Sequence, residues 1–167
     1  EANHCGSLTC RRPALVAAYY RALRRSCSSC VILSAEVLDT RNMRAWVDRF
    51  TAALPPGLRR GIPWGLHNYV DTNRLQTAGT RTLLGATTGP VWLTETGGIV
   101  RRRNPHKVSF KESAAHAAIA TRWLLTRIVP LSSRIRRVYV YHWNAQSHAT
   151  WDSGLIAPDG TPRAAFR

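Results

Sequence analysis

A regular alternation of helix-like and strand-like segments constrains the fold of this chain more than any other feature. Four short apolar runs, each about one strand long, alternate with four segments of helical periodicity. This alternation requires parallel strands joined by right-handed crossovers, with helices packed on the sheet. The runs are apolar along their length, as strands of a doubly covered sheet are. The sequence therefore predicts an α/β fold of about four parallel βα units.

The hydrophobic pattern predicts the individual elements. Strands are predicted over residues 31–39, 63–71, 90–98 and 136–145, and helices over residues 13–26, 43–54, 74–86 and 109–129. The first two helices are expected to pack on the core through Leu15, Val16, Tyr19 and Leu23, and through Met43, Trp46, Val47, Phe50 and Leu54. Ser109 and Glu112 have capping-box spacing, which predicts that the last helix begins there.

Length and composition indicate a single globular domain over residues 1–167. Apolar residues make up 44% of the chain, which excludes a disordered protein. No apolar run reaches the length of roughly 18 residues that a membrane-spanning helix needs, so no membrane span is expected. The chain opens with "EANHCG", which resembles neither a start nor a targeting signal, and we expect a fragment or a processed form. No feature of the sequence predicts an oligomeric state.

The four cysteines fall in two pairs, at positions 5 and 10 and at positions 27 and 30. Such spacing can indicate a zinc site, or four free thiols in a cytosolic protein. The predicted helix between the pairs, however, separates them by roughly 20 Å, too far to share one metal ion. Two local disulfides fit better, and they predict an oxidising, secreted or cell-surface location.

The chain is strongly basic, with 24 lysines and arginines against nine acids and a formal net charge of +15. The arginines are dispersed in pairs, apart from a triplet at positions 101–103 that opens a predicted basic loop over residues 101–108. Solvated faces of helices and loops explain this distribution better than a nucleic-acid site, and no nucleic-acid motif is present. We therefore expect no specific nucleic-acid partner; a charge-driven nucleic-acid binder is the weakest hypothesis, and it would lose affinity steeply with salt.

The few acids concentrate at the predicted carboxyl ends of the strands: Glu36, Asp39, Asp71, Glu95 and Asp152. Polar and aromatic residues gather at the same ends: His67, Asn68, Tyr69, His142, Trp143, Asn144 and His148. In parallel α/β folds, active sites form at that edge. No P-loop or dinucleotide-binding glycine motif follows any strand, so a nucleotide site is not supported. For the pair on the first strand, at positions 36 and 39, ion pairs with arginines are favoured over contacts to sugar hydroxyls.

The stretch "PVWLTETGGIV", residues 90–100, places one carboxylate, Glu95, at the end of an apolar strand. An unpaired charge inside a buried strand would cost several kcal/mol, so Glu95 is expected where the strand opens into a loop. It is either a capped or salt-bridged strand end, or a catalytic carboxylate at the mouth of the fold.

Several of these motifs resemble the retaining glycoside hydrolases of clan A, which are (β/α)8 TIM barrels, and glycosidase-like secreted proteins of actinobacteria. "VWLTETGG" resembles the segment that forms strand seven in that clan. "HNY" at 67–69 is similar to the His-x-Tyr at the end of strand six, and "YHWN" at 141–144 resembles the segment of strand eight. The opening "EANH" resembles the Asn-Glu-Pro motif of strand four, with Ala2 in place of proline. The resemblance implies a partial (β/α)8 TIM barrel from the end of strand four to strand eight.

The resemblance also implies roles for particular residues. Glu95 would be the nucleophile, and Glu1 the acid/base with a pKa raised by the neighbouring negative charge. Hydrogen bonds from His67 and Tyr69 would orient the nucleophile and keep it ionised. The implied substrate-binding residues are His67, Tyr69, Trp143 and Asn144. No metal and no organic cofactor is expected.

Each of these residues also has a structural alternative. His67 can be a core histidine, Tyr69 and Trp143 can simply fill the barrel mouth, and Glu1 can be a frayed terminus. The predicted function is that of an O-glycosyl hydrolase of the retaining type, acting on a poly- or oligosaccharide as part of a larger catalytic barrel. The alternative is a non-catalytic carbohydrate- or cell-surface-binding module on a degenerate barrel.

Overall fold

A computed structural model describes residues 1–103 and 109–167, so residues 104–108 of the predicted basic loop lie outside the described residues. The α-helices are α1 Pro13–Ser26, α2 Met43–Ala52, α3 Tyr69–Asn73, α4 Ala78–Ala86 and α5 Ala114–Trp123. A π-helical segment Leu124–Ile128 and a 3-10 turn Val129–Leu131 continue the last helix, and another 3-10 turn is Pro56–Leu58. The strands are β1 Glu36–Leu38, β2 Trp64–His67, β3 Val91–Thr96, β4 Arg101–Arg102, β5 Ile135–Val140 and β6 Trp151–Asp152.

Four strands form a parallel sheet in the order β1-β2-β3-β5, and β4 pairs with β6 as a short antiparallel ribbon. The four parallel strands lie side by side in chain order, each joined to the next through helical segments. The predicted α/β architecture of about four parallel βα units is therefore confirmed. Within the described residues the sheet is open, and no strand pairing closes it into a barrel.

The hydrophobic core lies between the helices and one face of this sheet. The sheet contributes Val37 of β1, Trp64 and Leu66 of β2, and Val91 and Leu93 of β3 to it. Phe50 of α2 stands edge-on to Trp64 of β2, with ring centroids 5.1 Å apart. The core prediction for the second helix is confirmed, because all five of its apolar positions are buried: Met43, Trp46, Val47, Phe50 and Leu54.

Helix α1 has the predicted bounds but not the predicted buried face. Tyr19 and Leu23, expected in the core, are each 55% exposed. The buried residues of α1 are Pro13, Ala17 and Tyr20, and the Tyr20 ring lies 6.2 Å from that of Phe50. Periodicity alone did not indicate the Ala17 and Tyr20 face, which packs against α2. The predicted core face is therefore wrong for Tyr19 and Leu23, while Val16 is partly buried against the core.

All four predicted strands are shorter than expected, and for the first two this changes the position of candidate residues. Strand β1 covers only Glu36–Leu38, so Glu36 lies at its start and not at its carboxyl end. Strand β2 ends at His67, and the residues from Tyr69 onward form helix α3 and not a continued strand. The carboxylate of Asp39 explains why a helix begins here. It accepts hydrogen bonds from backbone N–H groups in the first turn of α3, and so stabilises the start of that helix.

The predicted capping box at Ser109 and Glu112 is wrong. The N-cap of α5 is Ser113, whose hydroxyl accepts a hydrogen bond from the His116 backbone N–H at 3.0 Å. Glu112 instead forms an ion pair with Arg102, at 2.8 Å. The Glu112 side chain therefore pairs with Arg102, whereas the local motif predicted that it would cap the helix.

Both predicted local disulfides are confirmed, joining Cys5 to Cys10 and Cys27 to Cys30. Each lies at one end of α1, as the length of that helix required. In the described parts of the chain, no helix is both long enough and apolar enough to cross a membrane.

Candidate functional site

An irregularity of strand β3 determines the direction of the Glu95 side chain. Along β3 the burial alternates up to Leu93, but Thr94 and Glu95 are both only partly buried. The register against β2 shifts between Leu66 and His67, and the register against β5 shifts between Leu93 and Thr96. An extra residue in one strand re-aims the side chains beyond it. This shift turns Glu95 away from the helix-covered core and into an open cleft.

His67 lies directly opposite Glu95 in the sheet register, and two glutamate side chains approach its ring. Its Nδ1 atom lies 3.3 Å from Oε1 of Glu1 and 3.7 Å from Oε2 of Glu95. Because both oxygens lie close to one nitrogen, they can be at most about 7 Å apart, a limit that includes the separation of about 5–5.5 Å between the carboxyl groups of retaining glycosidases. The sequence-predicted residues Glu1, His67 and Glu95 are thus together in space.

Tyr69 completes this cluster from the first position of α3. Its hydroxyl donates a hydrogen bond of 3.0 Å to Oε1 of Glu95. Burial, and next the charge of Glu95, raise the pKa of Tyr69 far above its usual value, so the hydroxyl keeps its proton. The Tyr69 ring also stands edge-on to Trp151, with centroids 4.9 Å apart. This buried tyrosine therefore holds one Glu95 oxygen in a defined direction.

The charge state of Glu1 differs from the sequence-based expectation. The hydrogen bond from His67 lowers the pKa of Glu1, and it outweighs the opposing effect of partial burial. The predicted rise in the pKa of Glu1 is therefore wrong for this arrangement. The physical reason is that His67 lies between the two carboxylates and stabilises the ionised form of Glu1.

These side chains open into a cleft of about 780 Å³. Its walls include three aromatic residues that the sequence analysis did not assign to a site: Phe110, Tyr141 and Trp151. Trp151 reaches the cleft because β6 pairs with β4, a ribbon of two residues per strand that no periodicity could reveal. The disulfide-bonded Cys5 also lines the cleft, as do its neighbours His4 and Gly6.

Two predicted substrate-binding residues lie elsewhere. Trp143 is 62% exposed, does not line this cleft and stands edge-on to Phe166, with ring centroids 5.4 Å apart. Asn144 is also exposed and pairs through its backbone with Ile156. The motif "YHWN" therefore places its Trp and Asn just beyond the cleft, while Tyr141 of the same motif lines it.

The other acids at this edge of the sheet have mainly structural contacts. Asp71 is fully buried and accepts hydrogen bonds from the backbone N–H groups of Gly79 and Thr80, which begin α4. Asp152 forms a two-point ion pair with Arg163, with distances of 2.7 and 2.8 Å. Glu36, expected to pair with an arginine, instead lies 3.9 Å from Nε2 of His67. These contacts stabilise the loops around the cleft.

Asp39 differs from the other acids because it is both buried and part of the cleft wall. Its two oxygens accept hydrogen bonds from the N–H groups of Val70 and Asp71, at 3.2 and 2.7 Å. Burial raises the pKa of Asp39 to about 7, and the neighbouring charge of Asp71 adds to the rise. The expected ion pair with an arginine is not formed; the partners of Asp39 are backbone donors.

Comparison with solved structures finds similar folds among glycosidases. A Bacteroides uniformis beta-glucuronidase 2 is similar at 14% identity with a TM-score of 0.55, and the match covers 89% of this chain and 18% of that one. A GH2 beta-galacturonidase from Eisenbergiella tayi matches at 14% identity over 77% of this chain and 29% of that one, with a TM-score of 0.46. A beta-glucuronidase from an uncultured Clostridium matches at 11% identity over 92% and 34%, also with a TM-score of 0.46.

The chain thus spans about a third or less of the length of these proteins. No protein-family model and no curated protein matches the sequence. At such low identity the likeness concerns the fold alone, and it rests on the Bacteroides uniformis structure, because the other two scores are too low to support an argument. The α/β fold of this chain is accordingly similar to part of that Bacteroides uniformis structure.

Proposed function

We propose that this chain carries the carboxylate pair of a retaining O-glycosyl hydrolase and acts on a poly- or oligosaccharide as part of a larger (β/α)8 barrel. The observation that carries the proposal is the convergence of Glu1 and Glu95 on one nitrogen of His67, in an open cleft with aromatic walls. The resemblance of "VWLTETGG" and "HNY" to the clan A glycoside hydrolases supports it further.

In the proposed first step, a carboxylate oxygen of Glu95 attacks the anomeric carbon of the sugar while the glycosidic C–O bond breaks. The leaving oxygen takes a proton from Glu1. In the second step, Glu1 removes a proton from water, the water oxygen attacks the same carbon, and Glu95 is released. Tyr69 donates to the Glu95 oxygen that does not attack, and so keeps the nucleophile oriented.

The proton for the first step must reach a Glu1 carboxylate whose pKa is lowered. In this proposal it is held at Nδ1 of His67, 3.3 Å from the Glu1 oxygen, and moves to Glu1 as the leaving oxygen approaches. Aromatic rings of the cleft would contact the apolar faces of the sugar, and Trp151 and Tyr141 replace Trp143 in that role.

One observation favours the second candidate, a non-catalytic carbohydrate-binding module. A general acid must hold a proton near neutral pH, and the lowered pKa of Glu1 opposes this. A binding module would use the same cleft and aromatic walls without turnover. The two functions differ in whether Glu95 forms a bond to the sugar.

The experiment that tests the proposal is covalent labelling of the whole chain with a cyclophellitol aziridine, the class of compound bound covalently in the Bacteroides uniformis enzyme. Aryl glycosides of neutral and uronic sugars serve as substrates alongside. We expect turnover of at least one substrate, and mass spectrometry should find the label on the peptide that contains Glu95. Glu95→Gln should lower turnover about a thousandfold or more while leaving the fold intact.

The matched control is Asp48→Asn, which removes a carboxylate from the exposed face of α2, where Asp48 pairs with Arg44. It should leave labelling and turnover unchanged. Full activity of Glu95→Gln would overturn the nucleophile assignment. Binding of a glycan by wild type and Glu95→Gln alike, with neither labelling nor turnover, would establish the binding module instead.

A further inference from the structure

Residues 1–10, which carry Glu1 into the cleft, are held mainly by a polar residue. Asn3 is 1% exposed, and it is the only one of these ten residues that is buried. Ala2 is partly buried against the core, and Leu8 is 86% exposed. A buried amide needs partners for both its oxygen and its nitrogen, because an unsatisfied polar group is costly.

The Asn3 side chain finds both partners on one residue of β1. Its Oδ1 accepts the backbone N–H of Leu38 at 2.7 Å, and its Nδ2 donates to the Leu38 carbonyl at 3.0 Å. The backbone N–H of Ala2 donates to the Glu36 carbonyl at 2.7 Å. Residues 2 and 3 therefore occupy the open edge of β1, with a side-chain amide in place of one rung of backbone pairing.

Asn42, just before α2, fixes the same residue from the other side. Its Nδ2 donates to the Asn3 backbone carbonyl at 3.0 Å, and its Oδ1 lies 3.2 Å from the Asn3 side-chain nitrogen. The Thr40 hydroxyl lies 3.1 Å from that nitrogen as well. Of these side-chain types, only an amide can form all of these hydrogen bonds. An aspartate lacks the donor, and an apolar side chain lacks both donor and acceptor.

We propose that Asn3 is the residue that positions the Glu1 carboxylate against His67, a role that rests on the proposed function of Glu1 as acid/base. Glu1 is two residues from this anchor, and its carboxylate lies 3.3 Å from the histidine. The far end of the segment is held by the Trp46 indole N–H, which donates to the Thr9 carbonyl at 3.3 Å. Near Glu1, besides the Ala2 contacts, the placement among the described residues depends on the Asn3 amide. A displacement of about 1 Å at a reacting group can cost on the order of a hundredfold in rate.

The test compares two leaving groups on the same sugar. For a dinitrophenyl glycoside, departure of the phenolate needs no general acid, whereas an alkyl glycoside needs full protonation. In Asn3→Ala we expect kcat/KM to fall about tenfold or more for the alkyl glycoside but to stay within about threefold for the dinitrophenyl glycoside. Ser7→Ala is the matched control, because the Ser7 hydroxyl bonds only within the same segment, to Thr9, and should change neither value.

Equal losses on both substrates, or no loss on either, would overturn the proposal, since a merely structural role does not depend on the leaving group. If circular dichroism shows that Asn3→Ala does not fold, Asn42→Ala takes its place. That variant removes the donor to the Asn3 carbonyl and keeps the bonds to Leu38. It should show the same leaving-group dependence with a smaller loss.

A second readout separates this inference from the proposed function. In the wild type, His67, together with His4 and the α-amino group, holds the pKa of Glu1 below its usual range. NMR titration of the Glu1 carboxyl should show this pKa rising toward the usual value in Asn3→Ala. If the wild type hydrolyses no glycoside, the proposed function fails while the titration still decides the positioning. An unchanged pKa of Glu1 in Asn3→Ala would overturn the positioning role of Asn3.

Discussion

At the scale of single residues, the cleft depends on a few hydrogen bonds between side chains that are distant in sequence. Tyr69 and Glu95 are 26 positions apart, and their contact exists only because β2 and β3 are neighbours. The motif "HNY" indicated the tyrosine, but not that it begins a helix. The direction of the Glu95 side chain likewise depends on a register shift, which leaves no mark in the sequence.

Tyr69→Phe tests the contribution of that hydroxyl. We expect turnover of an aryl glycoside to fall about tenfold or more, because the nucleophile loses the donor that orients it. The free energy of unfolding should fall by only about 1 kcal/mol, the usual net value of one hydrogen bond. Steady-state kinetics and urea unfolding measure the two effects. Unchanged turnover together with the same loss of stability would assign Tyr69 a purely structural role.

Asp39→Asn tests the buried carboxyl group of the cleft wall. In the folded chain the pKa of Asp39 is about 7, above its ordinary value of 3.8. The stability that this group contributes is therefore fully present below pH 3.8 and is lost as the pH rises through 7, on the order of 4 kcal/mol in all. The variant lacks this loss.

Urea unfolding at pH 4, 6 and 8 measures the prediction for Asp39. The free energy of unfolding of Asp39→Asn, relative to the wild type, should rise steadily over this range. Other titrating groups are common to both proteins, so their contributions cancel in the difference. A difference that does not change with pH would show that Asp39 titrates near its ordinary value.

At the scale of elements, the sequence predicted the existence and order of helices and strands better than their ends. The periodicity of α2 sufficed to identify its buried face, because Met43, Val47 and Phe50 have no competing stripe. For α1 the periodicity indicated a different face from the one that is buried, because Ala17 and Tyr20 face α2 in the folded chain. The end of β2 depended on Asp39, a cap supplied from another strand.

Helix α4 allows a matched test of close packing. A Cβ atom at Gly79 would lie 2.6 Å from Cβ of Asp39, whereas a Cβ atom at Gly85 meets nothing within 4 Å. Gly85→Ala should raise the free energy of unfolding by about 0.5–1 kcal/mol through backbone entropy. Gly79→Ala should lower it by about 1–3 kcal/mol, because the helix must move away from β1. Equal effects in urea unfolding would mean that α4 does not pack this closely.

At the scale of the whole molecule, helices α1, α2 and α4 and the segment Leu124–Ile128 share one apolar core with an open parallel sheet. Charge is the other global property, with 24 basic residues against nine acids. Most of the arginines are exposed, including those in pairs on α1 and before β2, at positions 24, 25, 59 and 60. The cleft, in contrast, is lined by Glu1, Asp39 and Glu95 together with Arg102, whose charge is paired with Glu112.

This separation of charge predicts two different responses to salt. Association with an anionic polysaccharide should weaken by about tenfold or more between 50 and 200 mM salt, because the arginines displace counterions that are condensed on the polyanion. Turnover of a small neutral glycoside in the cleft should change little over the same range, since it forms no ion pair with that surface. Surface plasmon resonance and a chromogenic assay measure the two. Salt-independent association would exclude the dispersed arginines as the binding surface.

The sequence by itself determined the types and order of the four main strands and the larger helices, the core face of α2, the two disulfides and the place of Glu95 at the end of a strand. These depend on local periodicity, on helix length and on residue chemistry, which are all readable along the chain. The tertiary structure decided which aromatic residues line the cleft, that Asn3 bonds to the edge of β1, and that His67 lowers the pKa of Glu1. These depend on strand register and on contacts between residues 35–66 positions apart, which no local pattern encodes.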